Sequence, residues 1–237
     1  MSKYCLLVLG GAIRDKALFR RRLDQAELLL AADSGARHLL DLGIMPEWVY
    51  GDMDSLSPEE VRRLEAGGCR FAACPAEKDD TDSAFVLKEA LARGYRDIRI
   101  WGGLGVRPDH SYANIVLLQY ALRPEYRLGG DTDGESPDVV MEDGDMRIFL
   151  GKRGARIDGR RGDYLSLFAL TPVVTGFTHQ GLKYQPADGR FASAYPLGTS
   201  NEFMEDRVRI DWDEGVLLCM HIGSAGPDDN KKEGDER

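Results

Sequence analysis

The sequence predicts a parallel α/β domain followed by a β-sandwich, and three observations carry that expectation. From Tyr4 to Leu122, short apolar runs alternate strictly with helix patterns. From Val139 to His221 the runs are shorter, alternate in period two and are parted by turn signals. Between them, residues 124–138 are rich in Gly, Asp and Pro, the composition of a linker or long loop. The expected domains are 1–125 and 138–223. Residues 224–237 are polar and poor in apolar side chains, so a disordered tail is expected there.

Residues 4–9 form a continuous apolar run, as in a strand buried on both faces, and Gly10-Gly11 turn the chain. A short helix is expected over 16–23. Residues 27–32 make a second strand ending in Asp33-Ser34-Gly35. Ala36, Leu39 and Leu40 are spaced for a helix that Gly43 stops. Residues 48–50 are a third strand, running into Gly51-Asp52-Met53-Asp54-Ser55. Pro58 and Glu59 open a helix closed by Gly67-Gly68, and 69–73 is a fourth strand. Asp79 or Asp80 is expected to cap a helix that runs to Ala92 and stops at Gly94. Residues 96–101 are a fifth strand, and Asp109 or Ser111 is expected to cap a helix to about Leu122. This alternation argues a parallel, Rossmann-like sheet with right-handed crossovers.

In the second half the candidate strands are 139–141, 146–150, 164–169, 173–177, 191–194, 208–210 and 216–221. Glu142-Asp143-Gly144-Asp145 and Asp213-Glu214-Gly215 are the clearest turns between them. Many short strands with turns between them imply a sandwich or barrel.

Composition excludes several classes. With 237 residues, 43% hydrophobic and 30% charged, the chain is long enough to bury a sizeable core. Its net charge is −9, and Arg20–Arg22 is the only basic block, which argues against a nucleic-acid partner. No apolar run is long enough to cross a bilayer. The N-terminal MSKYCLLVLGG lacks a cleavage pattern and reads as the first strand, so a cytoplasmic protein is expected. Cys5, Cys69, Cys74 and Cys219 are scattered in apolar surroundings and are expected to be buried, reduced thiols.

Acidic and glycine residues gather where the strands of the first domain end. Open α/β sheets bind ligands at those carboxyl ends. Asp52 and Asp54 share one side of an extended segment, since strand side chains alternate. Asp79 and Asp82 are three apart at a helix start and can face one point. Clustered carboxylates repel one another unless a hard cation lies among them, and Mg²⁺ with substrate phosphate oxygens suits that arrangement. The plainer reading of Asp79 and Asp82 is helix capping, worth about 1 kcal/mol; that of Asp52 and Asp54 is a turn. Gly102-Gly103-Leu104-Gly105 follows a strand and precedes a helix, where backbone N–H groups can approach a phosphate. It is not a Walker loop, because no Lys-Ser/Thr follows. Arg107 offers a bidentate cation beside Asp109, or simply a surface ion pair with it. His110 is more often structural than a base at such a position. Asn114 lies on an apolar helix stripe with Leu117 and Leu118, so it needs partners and can tie down the glycine loop.

The motifs ADSGA (32–36), GDMDS (51–55), KDDTD (78–82), GGLGVRPDHSYAN (102–114), GLKY (181–184) and TSNE (199–202) stand in an order that strongly resembles the thiamine pyrophosphokinase family. The resemblance spans about residues 5–221. It implies an N-terminal α/β domain, a C-terminal β-sandwich, a homodimer, and thiamine held between the sandwich of one subunit and the α/β domain of the other. The implied activity transfers pyrophosphate from ATP to thiamine with Mg²⁺, giving thiamine diphosphate and AMP. Two departures are visible: Tyr184 stands where the family usually has Trp, and Ser34 where Gly is common.

Carried onto this chain, the resemblance implies that Asp52, Asp54 and Asp79 hold Mg²⁺. Asp82 completes the cluster or orients the attacking hydroxyl. Lys78 and Arg107 offset phosphate charge, and Asp109 braces Arg107 or a second metal. Gly11, Asp33, Ser34, Thr81, Gly103 and Asn114 lie near the nucleotide, while Ser55, Tyr184, Ser200 and Asn201 meet thiamine. Two rival readings are a pyrophosphokinase acting on another alcohol, such as a pterin, and a nucleotide or thiamine sensor without turnover. The GLKY and TSN segments argue against the first, and the full carboxylate set against the second.

Overall fold

The computed structural model describes residues 4–73, 81–105, 107–126 and 136–224. They divide into two compact units between Gly144 and Asp145.

In the first unit the elements alternate: β1 (Tyr4–Val8), α1 (Lys16–Leu23), β2 (Ala26–Ala32), α2 (Gly35–Leu40), β3 (Trp48–Tyr50), α3 (Pro58–Ala66), β4 (Arg70–Ala72), α4 (Asp82–Ala92), β5 (Asp97–Trp101), α5 (Pro108–Leu117) and β6 (Asp138–Asp143). The strand order is β6-β5-β1-β2-β3-β4, with parallel pairing at each junction. All five residues of β1, YCLLV, are buried, as a central strand covered on both faces requires. Successive side chains point to opposite faces. Leu6 and Val8 therefore join Phe19, Leu39, Leu40 and Leu64 in one core under α1, α2 and α3. Helix α4 packs against β1, β2 and β3 with Val86, Leu87 and Ala90 buried. The chain leaves β1 towards β2 on one side and returns to its other side with β5. That reversal opens a crevice at the carboxyl ends of β1 and β5, where open α/β sheets bind ligands.

Two helix starts and one helix end differ in detail from expectation. Thr81 caps α4, its hydroxyl accepting from the Ala84 N–H at 3.2 Å; Asp79 and Asp80 lie outside the described residues. Arg107 occupies the cap position of α5, with Pro108 as the first helical residue, where its missing N–H costs nothing. Helix α5 ends at Leu117 and continues as 3₁₀ turns over Leu118–Leu122. The run Val139–Met141, assigned from sequence to the second domain, is part of β6 and pairs in parallel with β5. Its buried Val139, Val140 and Met141 finish the first sheet rather than begin the sandwich.

The second unit holds β7 (Met146–Leu150), β8 (Arg156–Asp158), β9 (Tyr164–Ala169), β10 (Val173–Val174), β11 (Thr178–Gln180), β12 (Phe191–Ala192), β13 (Gly198–Glu202), β14 (Arg207–Asp211) and β15 (Leu217–Ile222). The order β13-β9-β15-β7 is antiparallel, and so is a smaller sheet, β11-β14-β8. Leu165 and Leu167 from β9 and Leu217 and Cys219 from β15 share one core with Ile157, Val208 and Ile210. Phe177 and Phe191 meet edge-on within it, ring centroids 4.9 Å apart. This is the expected sandwich. Three strands were not anticipated. β8 buries a single side chain, β11 reads Thr-His-Gln, and β13 is mostly polar, so none shows an apolar alternation. Among the described residues, no helix is long and apolar enough to cross a membrane. Cys5, Cys69 and Cys219 are free and buried; burial pushes the Cys69 thiol up to about 11 and that of Cys219 to about 12.

Candidate active site

Two loops of the first unit touch at the crevice. The Gly11 N–H donates to Gly102 O at 2.8 Å, and the Ala12 N–H donates to Leu104 O at 2.9 Å. A Cβ on Gly11 would lie 2.2 Å from Leu104 O and 2.4 Å from Gly102 O, so only glycine permits this approach. Gly102 has φ +69°, and a Cβ there would lie 2.1 Å from Leu9 O. The result is a cavity of about 350 Å³ walled by Gly10–Ala12 after β1, Asp33 and Ser34 after β2, and Gly102–Gly105 after β5. Gly103 lies in its wall, as do Arg107, His110 and Asn114. Asn114 is buried and its amide donates to Gly103 O at 2.8 Å, so it holds the glycine turn in shape.

Carboxylates converge beside this cradle. Oxygens of Asp33, Asp52 and Asp54 all come within 4.8 Å of one another. Gly51, with φ +135°, brings the ends of β2 and α4 together: a Cβ there would lie 3.2 Å from Asp33 Cβ and 3.4 Å from the Asp82 carboxyl. Asp33 and Met53 have left-handed backbones, φ 46° and 64°. Such strain persists only where the surroundings enforce it, and it gathers at functional sites. The Asp54 N–H donates to Asp52 Oδ1 at 3.1 Å, a turn that sets both carboxylates on one rim. The charge of Asp52 is the main cause holding the Asp54 carboxyl above its ordinary range, with Asp33 and Asp82 adding to it. Asp33 Oδ1 is buried with no hydrogen-bond partner among the described residues. A hard cation with a taste for several carboxylate oxygens fits this donor set. Asp33, assigned from sequence to the nucleotide, thus lines the cradle and also joins the carboxylate group; nothing in ADSGA distinguishes those two positions.

The remaining expected residues fall into four groups. Lys78 and Asp79 lie outside the described residues. Arg107 pairs with Asp109, Nη2 to Oδ2 at 2.6 Å, both exposed, so the Asp109 carboxylate engages Arg107 and not the acidic group. The Thr81 hydroxyl caps α4 and is not in the cavity wall. The Ser55 hydroxyl is buried without a hydrogen-bond partner among the described residues.

In the second unit a separate cavity of about 570 Å³ is lined by Tyr184, Gln185, Asp188, Phe191, Leu197 and Asn201, among others. Tyr184 is 60% exposed. Lys183 Nζ stands 5.4 Å from its ring centroid and pairs with Glu202 at 2.8 Å. The Asn201 amide binds the Tyr184 backbone twice, accepting from N–H at 2.9 Å and donating to O at 2.7 Å. It therefore positions Tyr184. Ser200 lies in β13 at a register shift against β9, with φ 56° and its N–H on Ser166 Oγ. It is absent from this cavity wall. Asp188, Phe191 and Leu197 were not foreseen, because the segment between GLKY and TSNE carries no motif.

A glycine cradle at the sheet's reversal point, with carboxylates beside it, defines the class: an α/β protein with a crevice of the kind that suits a phosphate, and a second, all-β unit. The profile for the thiamin pyrophosphokinase catalytic domain matches residues 19–128, and that for the thiamin pyrophosphokinase vitamin B1 binding domain matches residues 155–217. The chain belongs to the thiamin pyrophosphokinase family. It is 28% identical over 198 residues to a thiamine pyrophosphokinase of Bacillus subtilis, covering 83% of this chain and 88% of that one. Its fold is similar to the crystal structure of thiamine pyrophosphokinase from Bacillus subtilis, with TM-score 0.78, 25% identity, and 94% of this chain and 100% of that one covered. It is also similar to the thiamin pyrophosphokinase structure from Geobacillus thermodenitrificans, with TM-score 0.75, 25% identity, and 94% and 99% covered.

Proposed function

We propose that this chain transfers the terminal pyrophosphoryl group of ATP to the hydroxyl of thiamine, giving thiamine diphosphate and AMP. The observation that carries the reading is that Asp33 and Asp82 line a glycine-walled cavity while oxygens of Asp52 and Asp54 come within 4.8 Å of that of Asp33. Polyphosphate phosphates and carboxylates repel, so this juxtaposition is productive only with a cation between them.

Asp33, Asp52 and Asp54 would hold Mg²⁺, with Asp79 as a further ligand from its motif. Bound there, the ion would neutralise phosphate charge. The backbone N–H groups of the Gly102–Gly105 turn would cradle the phosphates, and Arg107 would swing its fork onto a phosphate oxygen. The thiamine oxygen attacks the β-phosphorus; the new O–Pβ bond forms as the bond from Pβ to the α,β-bridging oxygen breaks. AMP leaves with that oxygen, and the hydroxyl proton passes to solvent. Such chemistry depends on positioning and charge more than on covalent help. Tyr184 would offer an aromatic face to the cationic thiazolium. Lys183 already stands over that ring, which leaves the opposite face for the ligand.

The test is incubation with ATP and thiamine, with and without Mg²⁺. Thiamine diphosphate should form only with the metal. Unchanged product formation in excess chelator would overturn the metal assignment, and no product under any condition would overturn the activity.

A further inference from the structure

Two neighbouring side chains on α2 reach the two halves of the candidate site. Arg37 lays its guanidinium on the Glu60 carboxylate, Nε to Oε1 at 2.8 Å and Nη2 to Oε2 at 3.3 Å. The same Nη2 donates to Ser55 O, the end of the loop that carries Asp52 and Asp54. Glu60 is shared with the start of α3. It accepts from the Ser57 N–H at 2.7 Å, while Ser57 Oγ accepts from the Glu60 N–H at 3.3 Å. That reciprocal cap fixes the loop's exit into the helix. His38, the next residue, donates from Nε2 to Gly11 O at 2.8 Å, on the turn that walls the cradle.

The acidic loop needs such a hold. It carries Met53 in the left-handed region and sets like charges side by side, so its relaxed state would spread them apart. Both halves of the site are otherwise on different loops, one after β3 and one after β1. A bidentate Arg–carboxylate fork has a defined geometry that a lysine cannot copy. The Arg37 fork is the main cause holding the Glu60 carboxyl down to about 2, so the pair stays ionised across the ordinary pH range.

We infer that Arg37 and His38 are positioning residues: from one turn of α2, Arg37 sets the carboxylate loop and His38 sets the glycine turn. Neither touches a reacting atom. The inference rests on the functional reading above and extends it to how the two halves keep their spacing.

The experiment is direct titration with Mn²⁺, followed by the loss of its free electron-spin signal, on wild type, Arg37→Met, Arg37→Lys and His38→Phe. KM for ATP and the thermal midpoint are measured alongside. Outer partners of metal ligands commonly contribute about 10–100-fold in affinity. Arg37→Met should therefore weaken Mn²⁺ binding by about tenfold or more, and Arg37→Lys should not rescue it. His38→Phe should raise KM for ATP by about tenfold and leave Mn²⁺ affinity within about twofold. Variants that bind Mn²⁺ as wild type does, or a His38 change that moves both quantities equally, would overturn the inference. Loss of both readouts with a collapsed thermal midpoint in Arg37→Met and Arg37→Lys alike would do the same, since it would show a merely structural role. A wild type that binds no Mn²⁺ would instead overturn the metal reading, and this inference with it.

Discussion

Asp54 stands in the field of other carboxylates, and its own carboxyl is held above the usual range mainly by Asp52. A carboxyl raised on folding opposes folding once ionised, because the folded state then binds protons more tightly than the unfolded one. Asp54→Asn should therefore keep or raise the thermal midpoint of the metal-free protein while lowering kcat by roughly a hundredfold or more, a loss typical of groups that stabilise developing charge. A parallel fall of both would mark Asp54 as structural. His221 behaves oppositely. Its Nε2 meets Asp163 at 2.8 Å and its Nδ1 accepts from Arg147 at 2.8 Å. Burial, above all, holds this imidazole below its ordinary 6.5. Burial alone would push Asp163 up, but N–H donors from Ser224 and Arg160, with His221, outweigh it and hold the carboxyl below 3.8. The unfolded chain takes up the protons first, so stability is full above pH 6.5 and falls as pH drops below it, with a further loss below 3.8. Thermal melts from pH 8 to pH 4 should show the first loss in wild type and a smaller one in His221→Gln; equal slopes would exclude His221 as its source. At the second cavity, Tyr184→Ala should raise KM for thiamine by about tenfold, given a cation–π contact worth about 1–2 kcal/mol. An unchanged KM would remove that role.

Elements explain why the site is where it is. The crevice follows from strand order, and strand order follows from apolar runs buried on both faces, such as β1 and the second half of β2. The glycines then decide how closely the loops approach. Gly11→Ala would drive a Cβ to 2.2 Å from a backbone oxygen. It should lower kcat/KM for ATP on the order of a hundredfold, since about 1 Å of misplacement at a reacting centre costs that much. Full activity in this variant would show that the cradle is not used. Much of this was legible in the sequence. Tyr4–Val8 and Asp97–Trp101 announce themselves as buried parallel strands, and GDMDS sits at a strand end as expected. What escaped did so for physical reasons. Strands β8, β11 and β13 bury too few side chains to show alternation. Asp138–Asp143 follows a Gly-, Asp- and Pro-rich stretch that reads as a domain linker, so its return to the first sheet is invisible until pairing is known. Arg37 and His38 act through contacts 18 and 27 residues away, which no local pattern reports.

The whole molecule poses the question of how the two units cooperate. The resemblance implies an acceptor site shared between the subunits of a homodimer, and that expectation has a direct test; Tyr184 and Leu197 at the second cavity are 60% and 52% exposed. Mixing Asp54→Asn subunits with Tyr184→Ala subunits should then restore activity, because each mixed dimer regains one intact site. No recovery after demonstrated subunit exchange would favour a site built within one chain. The central claim, transfer of two phosphates in a single step, is tested most directly with ATP carrying separate labels on the β- and γ-phosphorus. The account predicts both labels together in thiamine diphosphate from the earliest time points, with one AMP formed for each. Thiamine monophosphate carrying only the γ label, accompanied by ADP, would contradict it.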